Sequence, residues 1–122
     1  MSTENDHVEG LVVCRVGDFR LAFPATTVVR ISEWTPGDAP AVHARTAFQL
    51  PPGAGRLVEE ETGSLVVDSL EIATESVRLL PVPAILLGEV GGALVGFIEL
   101  SGALCPVLSV GEFSRYVSRS GA

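Results

Sequence analysis

The apolar positions of this chain change their spacing several times, and each change marks an element. Leu11 to Val16 is one apolar run broken only by Arg15, Gly17-Asp18 ends it, and Phe19, Leu21 and Phe23 then alternate with Arg20 and Ala22. β-Branched and aromatic residues on both sides of a pair that tolerates positive φ predict a β-hairpin. Pro24 to Ile31 opens on a residue suited to a first helical turn but is too β-branched for a long helix. One or two turns running into a strand are expected there. From Ser32 to Gly55 the pattern is cut by Pro36, Gly37, Pro40, Pro51, Pro52 and Gly53, and only Val42 to Leu50 is left to hold a strand.

Arg56-Leu57-Val58 and Ser64 to Val67 flank Glu59-Glu60-Glu61-Thr62-Gly63, a second hairpin whose acidic tip reads as a solvated loop. Asp68 to Leu80 is ambiguous: Leu70, Ala73, Val77 and Leu80 make a helical stripe, while Val67 to Ile72 also fits an extended strand. Local pattern leans to helix. Ala84 to Leu87 and Leu94 to Glu99 read as strands, and the second of these turns at Ser101-Gly102 into a further apolar strand. Ser109, with Glu112 three residues on, forms a capping box for a short helix carrying Phe113, Tyr116 and Val117 on one face.

Composition narrows the class. A chain of 122 residues, 47% of them hydrophobic, fits one domain that buries roughly two-thirds of its unfolded surface without disulfides or metal. Cys14 and Cys105 both sit in apolar runs, as small buried hydrophobes of a reducing compartment do. Residues 1–9, with Glu4, Asp6 and Glu9, read as a disordered acidic tail rather than a secretion signal or transit peptide. The longest apolar stretches are too short and too broken to cross a bilayer, so a soluble cytoplasmic protein is expected. Fifteen acids against eight bases repel a phosphate backbone, which disfavours nucleic acid. All eight bases are arginine, so Schiff-base and P-loop lysine chemistry is absent.

Candidate chemistry is sparse. An enzyme would have to use Cys105 or Cys14 as nucleophile with His43 as base, and no surrounding motif supports that beyond residue type. Three adjacent acids at Glu59 to Glu61 cannot converge on one ion from an extended strand, and no cofactor or metal site is expected. His43 has no partner motif, His7 lies in the tail, and Asp68 is best read as bonding to a neighbouring turn. Trp34 reads as half-exposed, an anchor or a cap over nearby strands. Backbone pairing and apolar faces point to a binding module.

Taken in order, these pieces resemble the CheW-like family, the coupling proteins of bacterial chemosensory systems. The similarity lies in the hairpin and Val-Val-Arg-Ile segment of Leu11 to Ile31, in Gly63 to Leu70, and in Leu86-Leu87-Gly88 through Phe113, which contains the pattern Gly-x-x-x-Leu-x-Gly at Gly96 to Gly102. The second motif is similar to a family strand and overrides the helix reading of Asp68 onward. The family is built from two similar halves, each with such a hairpin, and here the first-half hairpin is missing. Arg30 stands where an acid is common, and Ser101 where Arg or Asp is. The chain is thus similar to the reduced CheW-like members of gliding-motility (Frz-type) systems.

The resemblance implies an all-β fold of two SH3-like β-barrel subdomains, one reduced, with short helices after the second strand and at the C-terminus. It implies a single domain over 10–117, abbreviated around 32–60, with a flexible end at 118–122. It implies a non-enzymatic adaptor associated with chemoreceptor arrays. Its partners would be the signalling domain of a methyl-accepting chemoreceptor and other CheW-like proteins, with weak or absent binding to a CheA-type histidine kinase. The matching positions for a receptor-binding groove are Val28, Ile31, Val67, Leu70 and Leu86, each of which could equally serve a barrel core. An unrelated small β-barrel module is the competing reading.

Overall fold

The computed structural model describes residues 7–82 and 93–120, and among these the regular structure is mostly β. Strand β1 (His7–Val16) turns at Gly17-Asp18 into β2 (Phe19–Pro24), pairing from Leu11↔Pro24 to Val16↔Phe19 as the alternation predicts. A short 3₁₀ turn, Ala25–Thr27, leads to β3 (Arg30–Trp34). After a long crossing come β4 (Gly55–Glu60), β5 (Gly63–Val67) and β6 (Ser69–Arg78). The chain ends with β7 (Leu94–Leu100), β8 (Ala103–Leu108) and α1 (Val110–Ser120).

Two sheets result. One has the order β6-β1-β2-β8-β7, the other β3-β4-β5. Beyond β6, Leu80 and Phe97 exchange both main-chain hydrogen bonds, at 2.7 and 2.9 Å, so the two edges of the five-stranded sheet meet and it closes as a small barrel. The three-stranded sheet stays open. Its β5 edge is partly covered by the crossing segment, where the Val66 N–H donates to the Val42 carbonyl at 2.8 Å.

β1 is apolar on both faces because it divides two cores. Val12, Cys14 and Val16 point into the larger core with Leu21, Phe23, Val58, Leu65, Val67, Phe113 and Val117, whereas Leu11 joins Ala22, Ile98, Cys105 and Val107 inside the closed sheet. A strand buried on both sides carries no polar face, so its sequence is a nearly continuous apolar run. At the β7–β8 turn, Ser101 (φ 51) and Gly102 (φ 82) both take positive φ, the two-residue geometry whose twist matches the flanking strands.

Several sequence expectations are corrected. The local lean of Asp68 to Leu80 toward helix, which the family resemblance overrides, gives way to a strand, because β6 pairs with β1 over Arg15↔Ser69 to His7↔Arg78 and that ladder outweighs local helix propensity. Val42 to Leu50 forms no strand. Ala44–Phe48 is a 3₁₀ helix, closed by Gln49 at φ 59 and anchored where the Arg45 side chain donates to the Pro51 carbonyl at 2.7 Å. Residues 7–9 belong to β1, not to a tail, since they pair with β6, and 118–120 belong to α1. Trp34 is buried, donating from Nε1 to the Ala39 carbonyl at 2.9 Å and edge-on to His43. The expected strand at Ala84 to Leu87 lies outside the described residues.

The acidic hairpin tip also has a structural task. Glu60 Oε1 accepts from the Gly111 N–H at 2.9 Å, so a carboxylate from β4 caps the first turn of α1, where free N–H groups and the helix dipole favour negative charge. The Ser109 hydroxyl adds a longer contact of 3.4 Å from the Glu112 N–H. Glu112 does not complete the expected box: it pairs with Arg115 at 2.6 Å, and the Ser109 N–H donates to the Ala93 carbonyl instead. The close approach requires glycine at Gly111, where a Cβ would stand 1.9 Å from Thr62 Oγ1.

Candidate functional site

The 3₁₀ turn after Pro24 carries the chain from the barrel to the open sheet. The Val28 N–H donates to the Ala25 carbonyl at 3.2 Å, and the Val29 N–H donates to the Glu59 carbonyl at 2.8 Å, which starts β3 beside β4. This reversal leaves an apolar cleft of about 240 Å³ between the sheets. Val12 of β1 forms its floor, Val28 and Ile31 one wall, and Ile72 of β6 the other. Val29 and Ile72, which both line the cleft, are 64% and 59% exposed and leave it an open apolar surface.

Of the five groove positions read from sequence, Val28 and Ile31 meet in this cleft. Val67 does not: it is fully buried in the larger core with Leu65 and Val58, because β5 packs between β1 and α1 and leaves its end no open face. Leu70 shares a face of β6 with Ile72 but packs against the core, opposite Cys14, and lines no part of the cleft. Leu86 lies outside the described residues. Ile72 and Val29 complete the site. Alternation of Leu70 and Ile72 was visible in the sequence and, with the segment taken as extended, puts Ile72 on the same face as Leu70.

Arg30 is the charged residue among those lining the cleft. Its side chain is 73% exposed, and its contact with Glu59 is loose, 3.7 Å from Nε to Oε2. By contrast Arg45 is fully engaged, 2.6 Å from Asp68 through Nη1.

A larger apolar cleft of about 530 Å³ opens where β2 and β8 splay, since these parallel strands register only at Ala22↔Val107. The stacked rings of Phe19 and Phe48, 4.3 Å apart, stand on one side of it, and Leu104 on the other.

The remaining polar groups are structural. Asp68 Oδ2 accepts from the Gly17 N–H at 2.8 Å and from Arg45 Nη1 at 2.6 Å, joining the β1–β2 turn, the 3₁₀ segment and the β5–β6 corner. Burial by itself would raise this carboxyl, but the Gly17 hydrogen bond and the Arg45 guanidinium outweigh it and hold Asp68 below its usual range. His43 is buried, with Nε2 2.7 Å from the Gly53 carbonyl and Nδ1 accepting from the Arg45 N–H at 3.4 Å. Burial pushes the Cys14 thiol up to about 12 and raises Cys105 as well, the opposite of an activated nucleophile. Among the described residues no cluster of His, Cys, Asp and Glu could hold a metal ion, and no helix is long and apolar enough to cross a membrane.

No protein-family model matches the chain, and no curated protein matches it. Among solved structures it is similar to the scaffolding protein TtCheW from Thermoanaerobacter tengcongensis. The TM-score is 0.56 at 11% identity, over 84% of this chain and 89% of that one. The fold is CheW-like. Within that fold, the closed five-stranded sheet is the complete SH3-like subdomain and the three-stranded sheet the reduced one. No strand lies between Trp34 and Gly55, the stretch in which the first-half hairpin is missing from the sequence.

Proposed function

We propose that this chain is a non-enzymatic chemosensory adaptor that docks the helical tip of a methyl-accepting chemoreceptor in the cleft between its sheets. The observation that carries this is the meeting of Val28 and Ile31 with Ile72 in an exposed apolar groove, together with a fold shared with a scaffolding protein. An aliphatic groove suits the apolar stripe of an amphipathic helix, which needs little charge to bind. The adaptor works in the cytoplasm within receptor arrays, alongside other CheW-like proteins, as a reduced member similar to those of Frz-type systems.

Coupling to a CheA-type histidine kinase is weak or absent in this proposal. The support is the reduced subdomain: with no first-half hairpin, a partner seeking that sheet loses main-chain hydrogen bonds and their apolar neighbours together, which no single side chain replaces. The protein would then dilute or insulate kinase-bound receptors. Reconstitution tests both parts. A receptor signalling domain should retain the chain in a pull-down, and the chain as sole coupler should barely stimulate kinase autophosphorylation in the presence of receptor and ATP. No retention refutes the docking role, and robust stimulation refutes the uncoupled one.

A further inference from the structure

Resting on that docking role, we infer that Arg30 selects the partner: the cleft takes a helix whose apolar stripe is flanked by a carboxylate, and discriminates against one flanked by lysine. Arg30 is the charged residue lining the cleft, at the start of β3 between Val29 and Ile31. Its contact with Glu59, 3.7 Å from Nε to Oε2, is beyond hydrogen-bond length, and no other ion pair engages it among the described residues. Both terminal nitrogens are thus available, and a guanidinium presents them as a planar fork that fits a carboxylate through two parallel hydrogen bonds.

The surrounding acids do not reverse this preference. Glu59 is paired across β3 and β4 with Arg30 and already leans on it, while Glu33, three residues along β3, lies outside the cleft lining and stands across from Arg56 of β4. Elsewhere the chain is acidic, with a net charge of −7, so its general field repels an acidic helix and the attraction must be local to Arg30. A docking helix covers Val29 and Ile72 and excludes water next to the guanidinium, which strengthens the ion pair relative to one in open solvent.

The test uses two designed antiparallel helical hairpins that share one Leu/Val stripe and differ only in carrying Glu or Lys one helical turn from it. Each is titrated by fluorescence anisotropy against the full chain and against Arg30→Gln and Arg30→Glu. Wild type should prefer the Glu hairpin by about tenfold, the effect of one partly buried charge-assisted pair, with the preference shrinking as salt is raised. Arg30→Gln should erase the preference and Arg30→Glu should invert it. Because Arg30 is mostly exposed, both variants should retain the wild-type circular dichroism. Equal binding of the two hairpins by wild type, or a preference that survives in Arg30→Gln, overturns the role of Arg30 and leaves the cleft as a helix dock. If neither hairpin binds wild type, the cleft is no helix dock and both proposals fall.

Discussion

Replacing Asp68 with Asn removes the charge that holds three parts of the fold together while keeping the shape of the side chain. Asp68 Oδ2 receives the Gly17 N–H at 2.8 Å and Arg45 Nη1 at 2.6 Å, and both donors lose their charged acceptor. Hydrogen bonds to charged groups contribute about 1.5–3 kcal/mol each. Two opposing terms lower the sum. The Arg45 and Asp68 side chains are about a quarter exposed, so water screens part of their attraction, and Asp68 Oδ1 is buried without a partner in the native protein. A net loss of about 2 kcal/mol is expected, which for a chain of this length lowers the melting temperature by roughly 6–10 °C. Thermal unfolding followed by circular dichroism at neutral pH measures it.

The same variant has a pH signature. The folded Asp68 carboxyl lies below its ordinary value, so its contribution is fully present above the unfolded value of about 3.9 and is lost as pH falls through the folded one. The gap between wild type and Asp68→Asn should therefore be constant from neutral pH down to about 5 and close in more acidic buffer. A cycle with Arg45→Met should be non-additive, because both changes remove one shared contact. A gap that does not close with acid, or purely additive variants, would refute the assignment of this stability to the ionised carboxylate.

Other outcomes follow from the same geometry. Gly111→Ala forces Thr62 and the Glu60 carboxylate away from α1 and should cost about 1–2 kcal/mol despite alanine's better helix propensity, and trimming the obstruction with Thr62→Gly should recover part of the loss in denaturant melts. Val28→Asp and Ile72→Asp should remain folded yet lose receptor retention, since a desolvated carboxylate against an apolar helix costs on the order of several kcal/mol, whereas Val67→Asp should fail to fold; retention by folded Ile72→Asp would remove that wall from the site. Cys14, with its thiol raised to about 12, should resist alkylation near neutral pH until the protein is denatured, and rapid labelling of native protein would revive a thiol-based activity.

The terminal hairpins were legible in the chain itself because their information is local. Alternation in Phe19 to Phe23 and the Gly17-Asp18 and Ser101-Gly102 turns each determine a strand pair within a few residues, and the order of such motifs was enough to name a CheW-like fold. Val28 and Ile31, which the resemblance maps to a groove, both line the cleft between the sheets. What tertiary structure decided depends on distant partners. Local pattern in β6 leans to helix, and pairing with β1 holds it as a strand, which brings Ile72 to the cleft and packs the partly buried Leu70 against the core. Val67 looks like any half-buried strand valine until α1 and β1 close over β5. Glu60 belongs to a run of three acids, and nothing within that run marks it as a cap for a helix that begins fifty residues later. Local periodicity records which face of a strand is apolar, but only packing determines whether that face meets a core or is left open to receive another molecule.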